Sequence, residues 1–248
     1  MKYPLLFLII TLTLSTQAQT KSAKQSNFYS AIKKHFNLID SIRFVDFDLV
    51  EAENKKIEQT LNQYKNEIFK LSNVSDYDLL YISKASDNNF CLVSWDTRMG
   101  GTMIEFATMA VYKTTNGAVK TKMLIDTSED PPENTLMHYD TIYSIKTKQG
   151  NLYLAHGFGQ GSTALPWQEL RAFKIVNNRL TNPIVFPKKE HRIFVEFDTH
   201  EFGEDERIPT IKVRNTGKEI LYPIATSKEG FSGKYQALVF SGTVYKVK

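Results

Sequence analysis

The chain has almost no cysteine, and this limits the chemistry that it can carry. Cys91 is the only cysteine among 248 residues, so no disulfide can form within the chain. It lies between apolar neighbours in the segment FCLVSW, which predicts a buried thiol. Cys91 lies far from the end of the N-terminal apolar run, where a lipid-carrying cysteine would stand, so we do not expect a lipoprotein. The fold must therefore be held together by its hydrophobic core.

The chain also lacks a strong excess of one charge. It contains 31 lysine and arginine residues against 27 aspartate and glutamate residues, and the lysines are spread over nearly every segment. Proteins that follow a phosphate backbone usually carry a basic stripe or patch, and none is visible here. We therefore expect no nucleic-acid partner.

Long apolar runs are absent except at the N-terminus. Lys2 precedes an apolar run from Pro4 to Leu14, and small residues precede a predicted cleavage site after Ala18. This pattern predicts a signal peptide over residues 1–18 that is removed from the mature protein. No later run is long enough to span a bilayer, so we expect no stable membrane anchor. The predicted location is the periplasm or the extracellular space.

Residues 19–75 have the apolar spacing of helices. One stripe comprises Phe28, Ile32, Phe36 and Ile39, and Asp48 with Glu51 resembles a capping box that would begin a second helix. Along this second helix the apolar residues recur at steps of four and three. They form a seam that we expect to pack on the protein's own sheet rather than in a coiled-coil dimer, so we expect a monomer. The seam consists of Ile57, Leu61, Tyr64, Ile68 and Leu71.

From about residue 76 to residue 248 the apolar period changes from 3.6 to 2, which predicts strands. Turn signals separate these strands and no crossover helix follows any of them, so the sheets should be antiparallel. The expected strands include segments centred near Ile184 and Val195. The turn signals are Asp87-Asn88-Asn89, Asn116-Gly117, Gln149-Gly150-Asn151, Asn177-Asn178 and Thr216-Gly217.

An internal echo suggests that the strands form repeated sheets. Residues 91–119 match residues 152–180 at an offset of 61, and the matched pairs include Trp95 with His156 and Tyr112 with Phe173. We expect units at about 78–126, 139–187 and 191–248, each a sheet of about four strands. The predicted fold class is mainly β, with repeated antiparallel sheets in a propeller-like, barrel or sandwich arrangement and an N-terminal helical segment.

The segment AHGFGQGST, residues 155–163, contains the best candidate for chemistry, yet it matches no catalytic motif. Its glycines lack the spacing of a dinucleotide-binding or phosphate-binding loop, and Ser162 is not in a nucleophile elbow. His156 occupies the place that Trp95 has in the first unit, which favours a structural ring at a strand end. We therefore predict a glycine-containing loop, and no catalytic residue, cofactor or metal site.

The remaining functional hypothesis is a composite binding site. If both units present their glycine-containing loops on one rim, aromatic, charged and amide side chains would meet there and suit capture of a ligand. The alternative is that both tryptophans belong to the core. The candidate ligand-binding residues are Trp95, Asp96, Arg98, His156, Gln160, Trp167 and Gln168.

Three functions follow from this interpretation. The leading one is an exported, non-catalytic β-repeat protein that binds a small molecule, a glycan or a protein through its loop rim. The first alternative is a secreted hydrolase in which Asp96 pairs with Glu105 or Glu169, as two carboxylates do in glycosidases. The second is a structural envelope component that assembles through the seam from Ile57 to Leu71.

Overall fold

A computed structural model of the chain describes residues 27–71, 80–124, 137–203, 206–226, 228 and 230–248. The predicted signal peptide at residues 1–18 lies outside the described residues. The chain divides into two compact units, Met1–Ser72 and Asn73–Lys248, which we call the helical unit and the β unit. Within the described ranges, no helix combines the length and the apolar character needed to cross a membrane.

The helical unit contains α1 at residues 27–42, α2 at Phe47–Gln63 and α3 at Lys65–Ile68. The stripe predicted for α1 is confirmed, because all four of its apolar side chains are at most 4% exposed. The predicted capping box is wrong. Asp46 is the N-cap of α2 and accepts a hydrogen bond from the Leu49 amide at 2.9 Å, so the helix begins before Asp48.

The predicted seam is buried within the chain. Ile57, Leu61 and Ile68 are fully buried and Leu71 is 4% exposed. Tyr64, the remaining seam residue, is partly exposed, so the seam offers little apolar surface to a second copy. A polar cluster joins α1 to α2, where the buried Glu53 carboxylate is 2.8 Å from His35 Nδ1 and 2.5 Å from Lys56 Nζ.

The β unit consists of antiparallel strands in three sheets, which confirms the predicted fold class. The first sheet contains β1 (Leu80–Lys84), β2 (Phe90–Asp96), β3 (Phe106–Lys113) and β4 (Val119–Met123). The second contains β5 (His138–Thr147), β6 (Gly150–Ser162), β7 (Leu165–Val176), β8 (Arg179–Thr181) and β9 (Arg192–Glu196), and the third contains β10 (Lys212–Arg214), β11 (Glu219–Ala225), β12 (Phe231–Phe240) and β13 (Tyr245–Val247). Successive strands pair in each sheet, as expected when short turns join them, except that β9 pairs with β7.

The turn signals lie where the backbone requires them. Asn177 and Asn178 both have positive φ, as a two-residue hairpin turn between β7 and β8 demands. Gly117 has φ of 81° in the turn that follows β3, and Gly150, the first residue of β6, has φ of 99°. These residues favour left-handed backbone, so they fix the points at which the chain reverses.

The second sheet lies between the other two and is covered on both faces. Phe90 of β2 contacts Tyr153 and Phe173 of the second sheet at ring-centroid distances of 5.0 and 5.2 Å. On the opposite face, Leu154 and Ala172 share a core with Ile220 and Leu238 of the third sheet. The sheets are therefore stacked face to face, as in a sandwich.

The stacking changes the meaning of the sequence echo. Tyr112 and Phe173, which the echo matches, point into the same core between the first and second sheets. In a rotational repeat, equivalent residues would point toward successive interfaces instead. The pairing also differs, because Tyr112 lies opposite Phe90 whereas Phe173 lies opposite Tyr153, which is 63 residues later. The echo therefore matches two sheets that share an order of four successive antiparallel strands but differ in strand register.

Two expected strands differ from the structure. Ile184 lies outside any strand and is 60% exposed, because the chain turns back at Asn177-Asn178 and β8 ends at Thr181. The strand around Val195 is β9, which pairs with β7 in the second sheet and so does not begin the third. A single chain gives little signal for pairing between strands that are separated in sequence, and this explains the difference.

Candidate functional site

The segment from Ala155 to Ser162 is strand, not the predicted loop. It forms the second half of β6, where Gly157 lies opposite Tyr139 of β5 and Glu169 of β7, and Gly159 lies opposite Trp167 of β7. Only Thr163 and Ala164 form the turn to β7. By contrast, the equivalent connection in the first sheet is a loop over residues 97–105.

Close approach of aromatic rings explains two of these glycines. A Cβ atom at Gly157 would lie 2.9 Å from the Tyr139 ring, and one at Gly161 would lie 2.9 Å from the Trp167 ring. Both distances are too short for a real side chain. The glycines therefore let rings pack flat on β6, and their presence needs no ligand.

The two tryptophans lie in separate cores. Trp95 is 1% exposed and shares a strand face with Cys91 and Val93, on the side of β2 opposite Phe90. Trp167 is 8% exposed and packs with Met137 and Met103. The predicted composite therefore does not bring its tryptophans together.

His156 and Gln168 lie on the face of the second sheet that is turned toward the third sheet. His156 is opposite Leu170 on β7, and Trp167 is three residues before Leu170, so Trp167 lies on the other face. Gln168 is buried, donates to the Pro209 carbonyl at 2.9 Å and accepts from the Ile211 amide at 2.8 Å. Its amide therefore joins the second sheet to the segment that leads into β10, which is a structural role.

His156 should remain neutral at pH values where an exposed imidazole is largely protonated. Burial lowers the pKa of His156 below 6.5, and this outweighs the opposite effects of the Gln168 side chain and of the Asp140 charge. Because the unfolded chain then binds the proton more tightly, the free energy of unfolding should fall as the pH drops from 6.5 toward the lower pKa of the folded protein. NMR titration of the imidazole gives the pKa directly. A His156→Gln variant should lose less stability over this range than the wild type, and an equal loss would contradict the assignment.

Asp96 and Arg98 contact each other at one end of the sheets, and Gln160 contacts the loop that contains Arg98. Asp96 Oδ2 accepts from Arg98 Nη1 at 2.7 Å and Asp96 Oδ1 accepts from the Arg98 amide at 2.8 Å. Gln160 Nε2 donates to the Thr102 carbonyl at 3.0 Å, which ties the end of β6 to the loop after β2. We call the surface formed by residues 96–106 and 158–167 the loop rim.

An aromatic group at this end was missed in the sequence. The His138 ring stacks on Tyr81 at 4.2 Å and lies 4.9 Å from Phe106, and Phe158 follows at 6.2 Å. Each of these residues lies near a strand end, but they come from four strands in two sheets. Only the stacking of the sheets brings them together.

The candidate carboxylates occupy very different environments. Burial raises the pKa of Glu105. A hydrogen bond with Thr97 lowers this pKa, and the nearby negative charge of Asp96 raises it further, so the net shift is upward. Glu169 is fully buried and bonds Tyr139 Oη at 2.8 Å, Arg171 Nε at 2.5 Å and Arg192 Nη1 at 3.0 Å. Because the Glu169 carboxylate is buried and already bound by three side-chain donors, a substrate has no access to it. The pair of Asp96 with Glu169 is therefore a poor acid–base pair, whereas Asp96 with Glu105 remains a possible one.

Neither a metal centre nor a relative identifies this site. The described residues contain no group of three or more histidine, cysteine, aspartate or glutamate side chains that could hold a metal ion. Comparison with protein-family models, curated proteins and solved structures finds no match.

Proposed function

We propose that the chain is an exported protein that binds a small molecule, a glycan or a protein partner through the loop rim, without catalysing a reaction. Export is supported by the apolar run at residues 4–14, which is typical of a cleaved signal peptide. Binding is supported by the charged, amide and aromatic side chains that the stacked sheets gather at one end.

The backbone of Arg98 is the observation that carries this proposal. Arg98 has φ of 60°, a left-handed conformation that costs a non-glycine residue about 1–2 kcal/mol. Asp96 compensates by binding both the amide and the guanidinium of Arg98. The Arg98 side chain is nevertheless 27% exposed, so a ligand can reach it from solvent. Strain that is maintained at an accessible charged group is typical of a binding loop that is organised before its ligand arrives.

The neighbouring groups indicate what such a ligand would carry. A guanidinium recognises carboxylate and hydroxyl oxygens. Flat apolar faces are provided by the half-buried ring of Phe158 and by that of Tyr81, which borders the loop rim at 6.0 Å from the Phe106 ring. A sugar, or a peptide with an acidic and an aromatic residue, has both features.

Replacing Arg98 with glycine tests the proposal without endangering the fold. Glycine adopts positive φ freely, so Arg98→Gly removes the guanidinium while relieving the backbone strain. The matched control is Lys188→Gly, which makes the same change at φ of 61° in the turn Pro187–Lys189, outside the rim. The probes are a printed glycan array and a panel of short peptides, applied to the full chain.

We expect the wild type and Lys188→Gly to bind the same glycans or peptides with similar affinity. Arg98→Gly should bind them at least about tenfold more weakly, which is the change expected when one charge-assisted hydrogen bond is lost. The proposal would be contradicted if Arg98→Gly bound the same probes as tightly as the wild type does, or if the wild type bound none of them.

Hydrolysis is the second candidate function, because the raised pKa of Glu105 beside Asp96 is the pattern of a general acid and its partner carboxylate. The same array separates the two functions. If the wild type shortens a glycan that Glu105→Gln binds intact, the function is hydrolysis rather than binding alone.

A further inference from the structure

A groove lies at the end of the β unit opposite the loop rim, between the second and third sheets. It is bordered by the β5–β6 turn and by the β12–β13 turn, and it encloses about 530 Å³. Strand β6 begins beside this groove at Gly150 and ends at the loop rim at Ser162, so the two surfaces lie at opposite ends of the same strand. We call this surface the lysine groove, after Lys146, Lys148 and Lys174 in its wall.

The charges of the lysine groove are uncompensated within the described part of the chain. No aspartate or glutamate lies among its lining residues, and its three lysines form no ion pair there. The nearest contact of the Lys174 ammonium is neutral, with Gln149 Oε1 at 3.4 Å. Elsewhere lysines do pair, as Lys55 does with Glu51 at 2.6 Å. Like charges gathered around a concave surface give a positive potential that attracts an anion.

The floor of the groove is apolar. Leu152 and Val185 are 3% and 4% exposed, and the partly buried Phe240 packs on Tyr245 at 5.1 Å. Leu152 lies directly opposite Lys174 in the pairing of β6 with β7, so hydrocarbon and charge stand side by side on one face. An inorganic anion would use only the lysines, and a neutral apolar molecule only the floor.

We propose that the lysine groove binds an organic anion that has an apolar body and one acidic group, such as a carboxylate, a sulfate or a phosphate. The acidic group would lie against Lys148 and Lys174, and the body would cover Leu152 and Val185. The volume of about 530 Å³ is within the range of about 300–1,000 Å³ that small-molecule pockets occupy. This site is independent of the loop rim and of the function proposed for it.

Calorimetric titration of the full chain with naphthalene-2-sulfonate tests the proposal. The comparison ligands are 2-naphthalenemethanol, which lacks the charge, and inorganic sulfate, which lacks the body. The test variant is Lys148→Gln with Lys174→Gln. Its matched control is Lys122→Gln with Lys234→Gln, which removes the same charge from two exposed residues outside the groove.

We expect the sulfonate to bind the wild type more tightly than either comparison ligand. Its affinity should fall about tenfold in the Lys148 and Lys174 variant and stay unchanged in the control, given the strength of partly exposed ion pairs. Added salt should weaken binding to the wild type. A Thr243→Trp variant, which fills the groove from the exposed β12–β13 turn, should abolish binding without altering any charge.

Equal affinity in the test and control variants would overturn the proposal, because the sulfonate would then be held by general surface charge. Equal affinity for 2-naphthalenemethanol would overturn it too, since the lysines would contribute nothing.

Discussion

Replacing Glu169 with glutamine should lower the free energy of unfolding of the β unit by about 3–5 kcal/mol, the usual cost of removing one partner from a buried ion pair. Glu169 is fully buried, and its carboxylate binds Arg171, Arg192 and Tyr139. The variant keeps the size of the side chain but leaves two guanidinium groups without this counter-charge. Its amide also brings N–H donors against the N–H donors of arginine.

Urea denaturation followed by tryptophan fluorescence measures this loss in the β unit alone, because both tryptophans of the chain, Trp95 and Trp167, lie there. Glu190→Gln is the control, since it makes the same change at an exposed position and should alter stability by about 0.5 kcal/mol or less. A Glu169→Gln variant as stable as Glu190→Gln would show that the buried cluster is not formed.

Replacing Phe173 with alanine should also destabilise the β unit by about 3–5 kcal/mol, through lost burial and the cavity that remains. Phe173 is fully buried between the first and second sheets, where it contacts Phe90 at 5.2 Å and Tyr139 at 6.4 Å. Its removal opens a gap in the core between these two sheets.

The comparison is Phe194→Ala in the same sheet. Phe194 is 41% exposed, so its removal should cost about 1 kcal/mol or less. The same fluorescence experiment compares both variants. If Phe173→Ala lost no more stability than Phe194→Ala, the two sheets would not be packed on each other in this way.

Local patterns in the sequence predicted much of the fold. The stripe from Phe28 to Ile39 marks α1 because a helix returns the same face to the core every three or four residues. Turn signals such as Asn177-Asn178 were reliable because few residues adopt the positive φ that a tight hairpin needs. Both signals depend on neighbouring residues alone.

The arrangement of the sheets could not be predicted in the same way. Alternation of apolar and polar residues marks a strand with one buried face, but Tyr153, Leu154, Ala155 and His156 are all buried because β6 lies in the middle layer. The glycines after His156 therefore suggested a loop, when they are part of a strand on which rings pack. The pairing of β9 with β7 could not be predicted either, because these strands are not consecutive in the sequence.

The candidate site was predicted in part for the same reason. Asp96 and Arg98 are two residues apart, so their pairing follows from the local chain. The place of Trp95 on the far face of the first sheet depends on which face the second sheet covers. The stack of His138 on Tyr81 joins residues 57 positions apart in different sheets, and no local pattern could indicate it.

The covered middle sheet also determines where this protein can acquire new properties over evolutionary time. Along most of β6 and β7 a substitution on either side meets a neighbouring layer, so few changes are tolerated there. Turns and strand ends escape this restriction. Homologous chains should therefore vary in sequence at the turns and strand ends, while the central parts of β6 and β7 change little.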